Sequence, residues 1–434
     1  MNKRLGAPAA LIILMLVATG CTGPARSHGG EAATTPGVTA TTVTIGSHQP
    51  LTGPASAGYS EIPRASKAYF DYVNAHGGVN GREIFYEYLD DAYNPANTPV
   101  LVRKLVEQDK VFAIFNGFGT PTHQQVVDYL NAQKVPDLFP GSGCTCWNDP
   151  VKLPYTFGYT TDYRREGKIL GSYVAKSFPG KRIAYFYQND AFGQQGVQGL
   201  DSEIPASQVV IRQSYQLGYN NITPQAEAIA NAKSDVIVCF SIAAYTALLR
   251  LAQQKIGNTA RLVVYQGGSD PATLSSLLPS TALSGNTQGN PLIQGIITDA
   301  WLTPLSDTSS SWSLLIKKIH DTYLPTLPLD QYVEIGVASA YTFVQALQQA
   351  GRNLTRQALV AAVERGQLSP GFGLTPFDYS QTSHGGYTGT QIGVIKGNVI
   401  VLQGPPLTTD DGTGPVVPYT APQAPAPADG IPGP

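Results

Sequence analysis

From Thr41 onward, short apolar runs alternate with segments whose apolar residues recur every three or four positions. "TVTIGS" has the pattern of a buried strand. "EIPRASKAYFDYVNAHGG" follows, with Ile62, Ala65, Tyr69, Tyr72 and Val73 on one helical face and Gly77–Gly78 as its stop. The couplet recurs as "REIFYEYLDD" with "TPVLVRKLVEQD", then as "VFAIFN" with "PTHQQVVDYLNAQ", before "VPDLFPGSG" runs into a loop. Such alternation predicts a parallel sheet with helices on both faces. A second series starts near Lys181: "KRIAYFYQND", the helix "FGQQGVQGLDSEI", "QVVIRQSYQ", a helix near Pro224–Ala232, "SDVIVCFS", the helix "AAYTALLRLAQQK" and "ARLVVYQGG". Two α/β series predict two lobes, with a ligand site between them at the carboxyl ends of the strands. After Thr303 come three helical segments and the strand-like runs "QIGVI" and "NVIVLQ". Residues 405–434 are rich in Pro, Gly and Ala, carry little apolar bulk, and are expected to be disordered.

The first 20 residues combine Lys3 and Arg4 with an apolar run free of acids and small residues before Cys21. The run is interrupted by Gly6 and Pro8 and falls short of the ~20 residues of a bilayer span, so it reads as a secretory signal. "VATGC" resembles a bacterial lipobox, in which Cys21 is acylated and becomes the mature N-terminus. Ala18 stands where Leu is commoner, and an ordinary signal peptide with a chance Cys is the alternative. Two or three acyl chains anchor stably, at ~0.8 kcal/mol per buried CH₂. Residues 21–40 read as a flexible tether. The expectation is an exported protein anchored to the outer face of the cell membrane by lipidated Cys21.

Composition narrows the function. A chain of 434 residues suggests two or three domains. With 13% charged residues, a net charge of −2 and no basic cluster, nucleic acid is not an expected partner. No HExxH, G-x-S-x-G or phosphate-loop motif occurs, and the six His (His28, His48, His76, His123, His320, His384) are scattered, so an enzyme is not expected. Asp90–Asp91 is the one tempting carboxylate pair. Cys144 and Cys146 lack the further Cys or His that would complete a zinc set, so neither metal nor cofactor is expected. In an oxidising exterior they are free to form a disulfide across a one-residue spacer. Cys239, inside "DVIVCF", reads as a core thiol. Trp147 either lines the cleft or packs under its loop.

The stretch "FNGFGTPTHQQ", Phe115 to Gln125, opens from a strand through glycines into a helix whose first turn is pre-set by Pro121. Backbone donors and a helix dipole there suit a carboxylate or amide oxygen without a Lys. The plainer reading is a helix cap by Thr120 or Thr122.

Four stretches, in order, carry a resemblance: "TIGSHQPLTGPASAGYSE", "YVNAHGGVNGREIFYEYLDDAYNP", "NGFGTPTHQQVVDYLNAQKVPDLF" and "YFYQNDAFGQQGVQGL". Together they resemble the type I periplasmic solute-binding proteins of ABC importers, in the leucine/isoleucine/valine-binding branch, over about Thr41 to Gln403. The resemblance implies two doubly wound α/β lobes joined by three hinge crossovers near "YTFGYTTDY", Pro291–Gly295 and "GFGLTPFD". Lobe one is then 41–158 plus 294–373, and lobe two 159–293 plus 374–404. It further implies that Gly119, Thr120 and Thr122 hold a ligand carboxylate, with Ser142, Gly143 and Cys144 as a second contact loop. Tyr59 and Phe192 match aromatics that cover the ligand from each lobe. One place departs from the family. Amino-acid binders carry an acid where "LVVYQGGSDPA" has Gly267–Gly268, so either Asp270 takes over or the solute lacks an α-amino group, the reading preferred here. The resemblance implies a monomeric binding protein that hands a small carboxylate, amide or branched-chain-amino-acid-like solute to a membrane permease. A ligand-sensing receptor ectodomain of the same fold is the alternative.

Overall fold

The computed structural model describes residues 35–279 and 289–433, so the expected signal peptide, Cys21 and the tether up to residue 34 lie outside the described residues. The first series comprises β1 (Thr42–Gln49), α1 (Ile62–Ala75), β2 (Glu83–Asp90), α2 (Thr98–Arg103), β3 (Ile114–Phe115), α3 (Thr120–His123), α4 (Val127–Ala132), β4 (Asp137–Leu138) and β5 (Thr156–Phe157). Its strands form a parallel sheet in the order β2-β1-β3-β4-β5. The second series comprises α5 (Tyr163–Ser177), β6 (Ile183–Gln188), α6 (Ala191–Glu203), β7 (Val209–Tyr215), α7 (Thr223–Asn231), β8 (Val236–Phe240), α8 (Ala243–Ile256), β9 (Arg261–Val264), α9 (Pro271–Leu277) and β10 (Ile297–Ala300). The chain then returns to lobe one with α10 (Ser311–Tyr323), α11 (Gln331–Ala350) and α12 (Arg356–Glu364). Helix α11 lies close on α1, because a Cβ at Gly336 would sit 2.4 Å from the Ile62 carbonyl oxygen. A hairpin, β11 (Phe377–Ser380) and β12 (Ser383–Tyr387), precedes β13 (Gly389–Lys396), β14 (Val399–Leu402), β15 (Leu407–Thr408) and β16 (Val417–Pro418). The second sheet runs β16-β15-β13-β10-β9-β8-β6-β7, with β14 on β13. This is the expected fold of two doubly wound α/β lobes.

Two crossovers fall later than the sequence suggested. Strand β10 pairs with both β9 and β13, so residues 297–300 belong to the second sheet and the chain crosses after Ala300. The hairpin β11–β12 stays with lobe one: the Gly158 amide donates to the His384 carbonyl at 2.9 Å, and the His384 ring stacks on Phe157 at 3.7 Å. The last crossing is therefore at the start of β13. The resemblance puts these crossings at Pro291–Gly295 and "GFGLTPFD", but strand pairing decides which sheet a segment joins.

The carboxyl ends of the lobe-one strands are knitted by a buried polar chain. Asp91 Oδ2 faces His48 Nδ1 at 2.8 Å, His48 Nε2 faces His123 Nδ1 at 2.9 Å, and His123 Nε2 faces Asp137 Oδ2 at 2.8 Å. Thr98 and Thr156 donate their hydroxyls to Asp91 and Asp137, each at 2.9 Å. Each of the three links in this row takes one proton, shared among four ring nitrogens and the two carboxyls. Gly117 packs directly on it: a Cβ there would lie 2.6 Å from His123 Nδ1 and 2.7 Å from His48 Nε2.

The C-terminal segment departs most from expectation. Residues 405–433 are laid along the body rather than disordered. Strand β15 pairs with β13, and the buried Lys168 ammonium of α5 donates to Asp410 Oδ1 at 2.8 Å and to the carbonyls of Asp410, Gly412 and Gly414 at 2.8–3.1 Å. Further on, Trp312 Nε1 donates to the Ala424 carbonyl at 2.7 Å, Gln423 Nε2 to that of Gly371 at 2.9 Å, and the Tyr69 hydroxyl to that of Gly430 at 2.9 Å. The segment thus touches lobe two and then lobe one. Its composition cannot build a core, but its carbonyls are satisfied by side chains of a core built elsewhere.

Two outcomes test these supports. His123→Leu leaves His48 Nε2 unpartnered and Asp137 with only the Thr156 hydroxyl, and is expected to cost ~3–5 kcal/mol in chemical unfolding. Lys168→Met is expected to cost ~1–3 kcal/mol and to open residues 405–433 to proteolysis. Unchanged protection of that segment would mean Lys168 does not hold it.

Candidate functional site

The loops at the facing strand ends form the site. After β3, Asn116 takes a left-handed φ of 53° and donates its amide to the Phe139 carbonyl at 2.9 Å, tying two loops together. Gly119 has φ 95°, and a Cβ on it would lie 2.3 Å from the Tyr93 ring, so only glycine fits. The helix expected from Pro121 onward is broken into α3, four residues long, and α4. So short a helix brings little dipole to an anion, and hydroxyl groups take its place.

Thr120 Oγ1 lies 2.7 Å from Ser142 Oγ and 3.4 Å from the Tyr163 hydroxyl. Three hydroxyls from three different loops thereby meet. Thr122 turns away: its hydroxyl donates back to the carbonyls of Phe118 and Gly119, and no side chain caps α3. Tyr59, Gly119, Ser142, Gly143 and Phe192 line one cavity between the lobes, of about 60 Å³. The Tyr59 hydroxyl donates to the Gly267 carbonyl of lobe two, and its ring packs on Phe118 at 4.8 Å and Tyr332 at 4.7 Å. From the other side Phe192 packs on Tyr163 at 4.7 Å and Tyr265 at 4.8 Å.

Two expected residues are elsewhere. Cys144 is disulfide-bonded to Cys146 and faces a neighbouring hollow, where its loop is held by Gln195, whose side-chain oxygen accepts from the Thr145 amide at 2.9 Å. Trp147 is buried under that loop, donating to the Ser142 carbonyl at 3.0 Å. Asp270 caps α9, accepting from the Thr273 amide at 2.6 Å, and faces a separate cavity. It does not stand in for the acid missing at Gly267–Gly268.

An acid that sequence reading passed over does line the cavity. Glu166, in the first turn of α5, is 3% exposed and accepts from the Gln266 amide at 3.2 Å. In "TDYRREG" it looks like a routine helix-start acid favoured by the dipole. Its position one turn after Tyr163 is the signal that both side chains share a face. Behind it lies Asp299 of β10, also buried. Burial, then the Asp299 charge, drives the Glu166 carboxyl well above the usual range, and burial raises Asp299 to about 7. Two carboxyls this close hold one proton between them.

Residues 42–398 match the family of periplasmic binding proteins. The chain belongs to that family. A Leu/Ile/Val-binding protein homolog 2 of Brucella abortus is 23% identical over 345 residues, covering 77% of this chain and 86% of that one. A branched chain amino acid ABC transporter structure from Thermus thermophilus with bound valine superposes with TM-score 0.73 at 21% identity, over 85% of this chain and 97% of that one. A fatty acid ABC transporter substrate-binding protein from Thermomonospora curvata gives TM-score 0.73 at 20% identity, over 88% and 97%. The chain is thus a periplasmic binding protein, with an extracytoplasmic place of action. Among the described residues no helix is long and apolar enough to cross a membrane.

The acid pair fixes a pH dependence. The folded state keeps a proton that an unfolded carboxyl releases near pH ~4. The stabilisation is whole below that pH and is lost as pH rises through about 7, where Asp299 ionises. Thermal unfolding midpoints are expected to fall between pH ~4 and ~7 and to level off above that, and Asp299→Asn to flatten that fall. An equal slope in the variant would place the proton elsewhere.

Proposed function

We propose that this protein is the substrate-binding component of an ABC importer and that its solute is an aliphatic α-amino acid. The carboxylate lies at the hydroxyls of Thr120, Ser142 and Tyr163, and the ammonium at Glu166. The observation that carries this reading is that Ser142 and Tyr163, whose hydroxyls Thr120 joins, and one buried acid line a single aromatic-walled cavity contributed by both lobes. The solutes named for the relatives, branched-chain amino acids and fatty acids, share a carboxylate and an aliphatic body. Glu166 is the feature that selects between them, because a buried ammonium needs a counter-charge and a fatty acid has no use for one. The preference for an amino-free solute gives way on this point: the counter-charge missing after β9 comes from the helix that follows the first crossover.

Asp299 lets Glu166 serve in both states. Without solute the pair shelters one proton; when an ammonium arrives, that proton rests on Asp299 and Glu166 is the anion. The cavity has room for about two waters, so an amino acid enters only when the Tyr59–Gly267 contact between the lobes parts. Closure over the solute excludes water and strengthens every polar contact within. Export by the N-terminal signal, anchoring through acylated Cys21, action as a monomer and delivery to a permease belong to the same reading, supported by the N-terminal pattern and the family.

Calorimetric titration with leucine and with 4-methylpentanoate, which differs only in lacking the amino group, tests it. Leucine is expected to bind ~100-fold more tightly, from the ~2–5 kcal/mol of a buried charge pair. Glu166→Gln is expected to erase most of the difference. Equal affinities in the unaltered protein would remove the ammonium assignment and leave the carboxylate site standing.

A further inference from the structure

A second cavity, of about 220 Å³, lies beyond Trp301 and Gln266, whose side chains are joined at 2.9 Å and stand between it and the solute cleft. Asp270 comes to it from lobe two, and Asp330 and Glu334 from the first turn of α11 in lobe one. All three are more than nine-tenths buried. Among the described residues none of them makes an ion pair, and Glu61, which adjoins Asp330, makes none either. Arg64 and His320 exert their pull on Glu61, and no positive group is among the causes acting on Asp330 or Glu334.

Asp270 accepts at both oxygens, from the Thr273 amide at 2.6 Å and the Gln331 amide at 3.4 Å, but the other two acids are only half used. Asp330 Oδ1 caps α11, accepting from the Tyr332 and Val333 amides at 3.0 and 3.1 Å, while its Oδ2 is buried without a partner. Glu334 Oε1 is likewise unpartnered, and so is Oε1 of the neighbouring amide Gln331, itself 7% exposed and on the cavity wall. A buried acceptor without a donor is costly, more so if charged, and these three stand at one cavity wall. The opposite wall is apolar: Leu302, Leu305, Leu329 and Ile400. Leu329 and Val399 at the rim are exposed, which leaves the cavity open to solvent.

We propose that this cavity is a second binding site, for a small organic cation of the primary alkylammonium class. Its –NH₃⁺ sits among Asp330, Glu334 and Gln331, and its carbon chain lies along the leucines. Three unpartnered acceptors meet the three donors of an ammonium. A metal ion fits less well. Among the described residues no three acids or imidazoles are placed to ligate one, and a hydrated ion gains nothing from the leucine wall. In the absence of a cation the acids are neutralised by protons: burial, then Asp270 and Glu61, raise Asp330 to about 9, and burial with Asp270 and Asp330 raises Glu334. A bound ammonium displaces those protons, so its affinity rises with pH as long as the amine itself stays charged.

Calorimetric titration of the purified protein with butan-1-amine hydrochloride at pH ~7.5 tests the site, with 1-butanol and calcium chloride as comparison probes. The expected result is saturable binding of the amine alone, with a heat that changes with the ionisation enthalpy of the buffer because protons are released. Asp330→Asn and Glu334→Gln are expected to weaken it at least ~10-fold. Leu329→Trp, which narrows the exposed rim without touching the acids, is expected to weaken it as well, while Glu166→Gln leaves it unchanged. Absence of saturable amine binding, equal binding of 1-butanol, or binding of calcium instead would overturn the proposal. Loss of amine binding in Glu166→Gln alone would place the amine in the solute cleft and overturn it equally.

Discussion

A single row of buried hydrogen bonds, Asp91–His48–His123–Asp137, underlies the architecture of lobe one. Parallel strands pair weakly at their ends, and β3, β4 and β5 are each only two residues long. The row ties the carboxyl ends of all five strand segments: His48 is on β1, Asp91 follows β2, His123 is in α3 after β3, Asp137 is on β4, and Thr156 of β5 donates to Asp137. Gly119 and Thr120 stand immediately above it. A loop that must present hydroxyls without rearranging needs such a floor, since a site held loosely loses the geometry on which its hydrogen bonds depend.

The two cavities use buried acids in contrasting surroundings. In the lobe-one floor, each carboxyl is hydrogen-bonded to an imidazole. At Glu166–Asp299 and at Asp270–Asp330–Glu334 no cation among the described residues pairs with the carboxyls, and protons are retained instead. Matched acids are scaffolding; unmatched ones at a cavity wall are a standing demand for positive charge. The C-terminal segment adds a further constraint. Held by Lys168 in lobe two and by Trp312 and Tyr69 in lobe one, it bridges the two lobes.

Much of the site's outline could be read from residue types. Gly119 and Asn116 are needed for left-handed backbone, and Tyr59, Ser142, Gly143 and Phe192 sit at turns whose sequence marks strand ends; all four of these line the cleft cavity. Thr122 and Cys144 occupy the same loops but point elsewhere, because a hydroxyl can bond its own turn and a thiol can bond its neighbour. Glu166 was hidden for the opposite reason. An acid in a first helical turn has an ordinary explanation, and nothing local tells that Asp299, 133 residues later, will be packed behind it.

By itself, the sequence determined what depends on local periodicity and backbone preference: two βα series, the parallel sheets they imply, the glycine turns at strand ends and the aromatics beside them. Only the tertiary structure decided which sheet β10 joins, where the C-terminal segment lies, and which acids end up without cations. Those outcomes rest on partners far apart along the chain, and hydrogen bonding and desolvation are settled by what surrounds a group in space rather than by what precedes it in the chain.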